Sequence, residues 1–300
     1  MERTKAKVAV VATRDRRAGV EQSLKLLDSL DFQGKKVLIK PNFNTADSAP
    51  GSTHNDTLKA LALWLREKGA SKLTIGERSY PLTSDVMQEK KIPELALELG
   101  LEIINFDELG EDGFVHFKRP DLHWKDGFLI PRAVIEAESL VCTCCLKTHG
   151  HGGVFTMALK LAVGMVPIRG HKYMPELHSS PHMRKMIAEI NTAFTPAVVV
   201  MDGVEAFVDG GPATGTRKAA DVFLAGSDRI AIDAVGLAVL KKLGSNKNIM
   251  DTPIFAQEQI ARAVELGLGV SSPRDIELVA ADEASRAYAQ VLQEILQKEE

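Results

Sequence analysis

Aromatic residues are scarce in this chain of 300 residues, 5% of the total, and there are only three cysteines. The first shortage removes the stacking platforms on which single-stranded nucleic acid is held. The second removes a disulfide framework, which would spread an even number of cysteines along the chain; here Cys142, Cys144 and Cys145 stand together. That usage reads as a reducing, cytoplasmic compartment. Positive charge is not in excess either. Lys and Arg number 37 against 40 Asp and Glu, a formal net charge of −3, so neither nucleic acid nor an anionic membrane is an expected partner. No apolar run reaches the roughly 20 residues that cross a bilayer. The opening residues, Met1 to Lys7, are charged with no apolar stretch and cleavage site behind them, and read as the approach to a first strand rather than a secretion signal. A fixed-period repeat and a low-complexity tract are also missing. The one compact basic cluster, Arg14, Arg16 and Arg17 around Asp15, reads as a solvated turn at a helix start.

What remains is an ordinary globular composition, 45% hydrophobic and 26% charged, in a chain long enough to bury a large core. Short β-rich runs alternate with helical patterns. Strands are expected at Val8–Ala12, Lys36–Lys40, Lys72–Ile75, Glu102–Phe106, Ser139–Cys144, Ala197–Met201, Val222–Ala225 and Ile276–Val279. Helices are expected at Val20–Leu30, Thr57–Lys68, Ile92–Leu99, Val154–Val166, Arg229–Leu243 and Glu283–Gln297. This alternation predicts an α/β fold with a largely parallel, mixed sheet covered by helices on both faces. The less regular stretch Asp107–Arg132 reads as an antiparallel excursion or a small subdomain. Pro167–Pro181, with three prolines, reads as a long loop, either a lid or the boundary between two lobes of one domain spanning residues 1–300.

In an open α/β sheet the ligand sits beyond the carboxyl ends of the strands. Lys40 and Asn42, Glu77, Lys147 and His149, and Asp202 with Gly203 each follow an expected strand, so parallel neighbours would bring them to one cleft. The strongest local signal is the run Lys147, Thr148, His149, Gly150, His151, Gly152 and Gly153 before the expected helix. Glycines let backbone amides approach a ligand, and a helix start favours an anion there. From Val154 to Ile168 only Lys160 is charged and only Thr156 is otherwise polar. A helix apolar all round is buried, and Thr156, Lys160 and Gly164, four apart, form one stripe on it. A buried lysine meets an anion or loses its proton; the alternatives are a structural pair with a core carboxylate and snorkelling to water. Five of the eight histidines, His149, His151, His171, His178 and His182, fall in the same region. His149 and the lid residue His171 read as functional, His178 and His182 as ordinary surface residues. The three cysteines read as small apolar residues of a buried strand, with Cys145 and His151 left as the candidates for a metal or redox role. Asp202 reads as a metal ligand or a partner for Lys160, Gly210, Gly211 and Pro212 as a loop bordering the cleft, and Asp228 as a helix cap.

Several of these motifs recur together. Val37 to Asn42, Gly69 to Glu77, Leu146 to His149, Thr156 to Lys160 with Gly164, and Asp202–Gly203 with Gly210 to Pro212 occur in this order. The series resembles the family catalogued as domain of unknown function 362, over roughly residues 36 to 240. Many members carry a ferredoxin-type cysteine module, which this chain does not have. A looser, local likeness is to the N-terminal domain of nickel-pincer lactate racemases, through His149, Gly152 and Gly153, Lys160 and His171; it implies acid–base chemistry on a small carboxylate, with a metal. The expectation is therefore an enzyme for a small anionic metabolite. Lys147 and the glycine-loop amides of Gly152 and Gly153 would hold the anion, His149 and Lys160 would carry acid–base chemistry, and Asp202 would orient them. Lys40, Asn42, Thr156 and His171 would line the site. The alternative is a protein that binds a divalent metal or an iron–sulfur cluster without turnover, through Cys145, His149 and His151, with His171 as an optional further donor.

Overall fold

Runs rich in Val, Ile and Leu form strands wherever the alternation asks for them. The computed structural model describes residues 5–28 and 30–298; the first four residues of the opening segment, and position 29 within the expected Val20–Leu30 helix, lie outside that description. The strands are β1 (Ala6–Ala12), β2 (Lys36–Lys40), β3 (Lys72–Glu77), β4 (Glu102–Asn105), β5 (Phe114–Phe117) and β6 (Phe128–Pro131) in the first half. They are followed by β7 (Ser139–His149), β8 (Val154–Phe155), β9 (Val198–Gly210), β10 (Gly215–Gly226) and β11 (Ile276–Val279). One nine-stranded sheet runs in the order β11-β1-β10-β9-β7-β2-β3-β4, with β8 on the end of β7. The pairs β1–β11, β2–β3, β2–β7, β3–β4 and β7–β9 are parallel, and β10 runs antiparallel to both β1 and β9. The fold is α/β with a mixed, mostly parallel sheet. The irregular stretch is an antiparallel excursion, β5 on β6.

Side chains alternate across the sheet, and both faces are oily. Val8 and Val10 of β1 and Cys142 and Cys144 of β7 join one core, beneath the helices Arg229–Leu243 and Glu283–Lys298. Ala9, Val11 and Val141 join the other, beneath Arg16–Lys25 and Asn55–Glu67. Strands apolar on both faces are those of a parallel sheet sandwiched by helices. Asp15 and Asp228 cap their helices, accepting from the Ala18 and Ala231 amides at 2.9 Å each. No helix among the described residues is long and apolar enough to cross a membrane.

Two expected elements take another form. The helix foreseen at Val154–Val166 begins instead as β8, pairing Phe155 with Thr148 and Val154 with His149. Only Ala158–Leu161 is α-helical, and a 3-10 turn, Ala162–Met165, follows. An apolar run reads alike as buried helix or buried strand, and here pairing to the end of β7 consumes the donors that a longer helix would need. The Pro167–Pro181 loop contains a helix, Tyr173–Ser179, and the sheet continues across it because β7 pairs directly with β9. Both β9 and β10 outrun their expected lengths to form a long hairpin.

The helix Arg16–Lys25 lies close on β10 through Gly19, where an added Cβ would sit 2.2 Å from a ring carbon of Phe223. Gly→Ala in a helix ordinarily stabilises by about 1 kcal/mol. Gly19→Ala is expected to destabilise by about 1–3 kcal/mol through overpacking, read as a lower urea midpoint; an unchanged or higher midpoint would count against this packing.

Candidate functional site

The parallel strands β2, β3 and β7 deliver their carboxyl ends to one edge, where a cavity of about 880 Å³ opens. Lys40, Asn42, Glu77, Lys147 and His149 all line it, as their positions after the strands require. Thr156, Lys160 and Gly164 line it too, although Thr156 precedes the short helix. The expected stripe is thus present on a different backbone.

Charge in this cavity is lopsided. Five cationic side chains face it, from Lys40, Arg78, Lys147, Lys160 and Arg184, with Glu77 the single carboxylate. Four of the five are satisfied within the protein, each differently. Lys40 and Glu77 are both about 1% exposed and meet at 2.5 Å. Burial pulls the lysine pKa down and pushes the carboxyl up, and their contact opposes both shifts. Glu77 also accepts from the Phe43 and Arg78 amides, at 2.7 and 2.8 Å. Gly164 makes room for this pair: a Cβ there would lie 2.8 Å from Lys40 Nζ and 3.0 Å from Glu77 Oε1. Lys147, fully buried, donates to two main-chain carbonyls, Gly51 at 2.5 Å and Pro212 at 3.1 Å. The Gly210–Pro212 loop borders the cavity as expected and supplies that second carbonyl. Arg78 donates to the Val166 carbonyl at 2.9 Å and to that of Val163, and burial lowers its pKa to about 10. Arg184 pairs with Glu258 and reaches the Gly152 carbonyl at 3.0 Å.

Lys160 differs from all four: it is half-buried, open to the cavity, and no hydrogen bond or ion pair holds its amine among the described residues. Burial, then the charges of Lys147 and Arg78, lower its pKa to about 7. His149 meets it across Gly153, where an added Cβ would lie 2.8 Å from His149 Nδ1 and 3.1 Å from Lys160 Cε. Burial first, then Lys160, lowers the His149 pKa to about 2. Its Nδ1 accepts from the Gly153 amide at 3.3 Å, so the neutral ring carries its proton on Nε2. In this state His149 offers an Nε2–H donor to the cavity. The Thr156 hydroxyl, 7% exposed, has no hydrogen-bond partner.

The structure corrects several other assignments. Asp202 lies outside the lining; its carboxylate accepts from Arg16 at 2.9 Å, Thr57 at 2.6 Å and the Val204 amide at 3.0 Å. Period two turns it to the face opposite Met201, and β9 runs on beyond it. Arg16 is accordingly half-buried, while Arg14 and Arg17 of the same cluster are exposed as expected. The helix-start anion site fails as well, because the Ala158 and Leu159 amides point to the Asp233 carboxylate at 2.7 and 3.0 Å. Gly152 lines the cavity, whereas Gly153 spends its amide on His149 and its carbonyl on Gln259. His171 is exposed and stacked on Tyr173 outside the cavity; His178, from the helix Tyr173–Ser179, lines it instead. Cys145 is buried away from His151, its thiol pushed up to about 11 by burial. Among the described residues no three His, Cys, Asp or Glu side chains stand close enough to hold a metal ion. Arg78 escaped sequence reasoning, though its position directly after strand-end Glu77 was a signal. Arg184 had none, since it arrives from a distant helix.

The family model described as Domain of unknown function (DUF362) matches residues 37–238. The thylakoid-associated protein sll1697 of Synechocystis sp. is 23% identical over 255 residues, 81% of this chain and 74% of that one. A Thermotoga maritima protein of known structure superposes with a TM-score of 0.47 at 11% identity; 76% of this chain is covered, but only 56% of the length of the other. The lactate racemase apoprotein of Thermoanaerobacterium thermosaccharolyticum superposes with a TM-score of 0.39 at 11% identity, over 97% of this chain and 87% of its own. Neither superposition is close enough to transfer chemistry.

Two outcomes test the site's electrostatics. Glu77→Gln and Lys40→Met should each destabilise by about 3 kcal/mol, and the double variant by clearly less than their sum; additive urea midpoints would show that the pair is not coupled. In unliganded protein, the rate of Lys160 modification by an amine-reactive reagent should rise through about pH 7 and then level off. A lowered pKa means that the neutral, reactive amine predominates above that value. A rise centred near the ordinary 10.5 would contradict the environment described.

Proposed function

This chain belongs to the DUF362 family, and on that footing we propose that its cavity binds a small anionic metabolite, a carboxylate or a phosphate, and acts on it with lysine and histidine chemistry. The observation that carries the reading is the Lys160 amine, set beside a cavity without an acid partner and among further cations. Positive charge gathered at the lining of a cavity and partly drawn out of water is costly unless an anion enters. Thr156 offers an unused hydroxyl and His149 a neutral Nε2–H to the same ligand. Lys160, with a pKa of about 7, takes the general-base or nucleophile role that neutral His149 does not fill. The helix Tyr173–Ser179 lends Met174 and His178 to one wall, the place of a lid residue passing from His171 to His178. Three unpaired, buried thiols accord with a reducing, cytoplasmic setting. Metal or cluster carriage without turnover has less support: His149 and His151 line the cavity, but Cys145 and His171 do not, and no three such donors stand together among the described residues.

Calorimetry with inorganic phosphate and with pyruvate is the test. Wild-type protein should bind at least one. Lys160→Met should weaken binding tenfold or more, about 1.4 kcal/mol, and His149→Ala should weaken it too, both at an unchanged thermal midpoint. The reading falls if neither anion binds, or if Lys160→Met binds as wild type does. Stoichiometric iron or nickel that disappears in Cys145→Ser would put the carrier in its place.

A further inference from the structure

The three lysines around this cavity are treated unequally, and the inequality points to a substrate class. Where the fold draws a lysine amine into its interior, it gives that amine something to hold. Lys40 has the Glu77 carboxylate at 2.5 Å, and Lys147 has the Gly51 and Pro212 carbonyls. Lys160 has neither, although it faces the same space. The charged groups around it, Lys147 from β7 and Arg78 from the end of β3, are cations, and the histidines coupled to it are His149 from β7 and His178 from the helix Tyr173–Ser179. Such surroundings favour the amine without its proton, and a neutral lysine amine is a carbonyl nucleophile. The cations that repel a proton from Lys160 would attract a carboxylate or phosphate on the same substrate.

Resting on the anion-site reading above, we infer that Lys160 forms an imine with a carbonyl-bearing anion of the 2-oxo acid or phosphorylated aldehyde class. The Nζ lone pair adds to the carbonyl carbon and the carbonyl oxygen takes a proton, giving a carbinolamine. That oxygen then leaves as water as the C=N bond forms, and the amine's protons balance the loss. No oxidant or reductant is consumed. The Thr156 hydroxyl, buried at the lining with no partner of its own, is the group placed to hydrogen-bond the departing oxygen. Gly153 keeps the approach open, since a side chain there would press on both His149 and the Lys160 methylene next to the amine.

Trapping tests this. Intact protein is incubated with pyruvate, 2-oxoglutarate or pyridoxal 5′-phosphate and sodium cyanoborohydride at neutral pH, and labelled lysines are located by peptide mass spectrometry. With at least one probe, Lys160 should be reduced to a secondary amine about tenfold faster than any other lysine, following its larger neutral fraction. Inorganic phosphate should suppress that labelling, and Lys160→Arg should bind phosphate yet give no adduct. If phosphate binds in a Lys160-dependent way but none of the three probes labels Lys160 preferentially, the imine is wrong while the anion site stands. An adduct that phosphate does not suppress also overturns it, because the carbonyl compound is then not held by the cavity's cations. If neither phosphate nor pyruvate binds and no adduct appears, both readings fall.

Discussion

Positive charge buried beneath one cavity is the constraint around which the sheet's working edge is arranged. Each ammonium or guanidinium withdrawn from water needs compensation, and the carboxyl ends of β2, β3 and β7 place several together. Glu77 answers only Lys40. Main-chain carbonyls meet Lys147 and Arg78, Glu258 and the Gly152 carbonyl meet Arg184, and Lys160 has neither kind of partner; the carbonyls come from loops rich in glycine and proline. Gly51 and Pro212 turn their carbonyls to Lys147, and Gly211, with φ of +75°, packs so tightly on the Thr148 carbonyl that a Cβ would lie 2.1 Å from it. Gly164 does the same service for the ion pair of Lys40.

The backbone that presents Lys160 is held from the far side. Asp233, on the helix Arg229–Leu243, accepts the Ala158 and Leu159 amides, and its buried carboxyl is pushed up to about 7. Asn191 donates to the Leu159 carbonyl at 2.9 Å. A helix of one turn would fray alone; these contacts fix it by tertiary means. The lysine is therefore free at its tip and fixed at its root.

Histidine 149 shows how environment overrides residue type. Imidazole near its ordinary pKa suggests proton transfer at neutral pH. Here burial and adjacent cations hold it neutral, and the Gly153 amide occupies Nδ1. The same cations act on Lys160 in the same direction, bringing an amine to about 7. Neither residue titrates as it would in water.

The order of strands and helices was legible from the chain because hydrophobic period and helix caps are local: Lys36–Lys40, Ile92–Leu99, Arg229–Leu243 and Ile276–Val279 have the bounds the pattern implies. So was the placing of Lys40, Asn42, Lys147, His149, Thr156 and Lys160 at one edge, since parallel strands that end in polar residues must gather them there. Pairing partners were not. Whether Asp202 meets Lys160 or Arg16, whether His171 or His178 reaches the cavity, and whether Val154 opens a helix or a strand depend on contacts between residues far apart in the chain. Nor could the pattern reveal that Glu77 would be spent on Lys40 while Lys160 went without. Sequence determines which groups must leave water; only the assembled fold decides which of them finds a counter-charge.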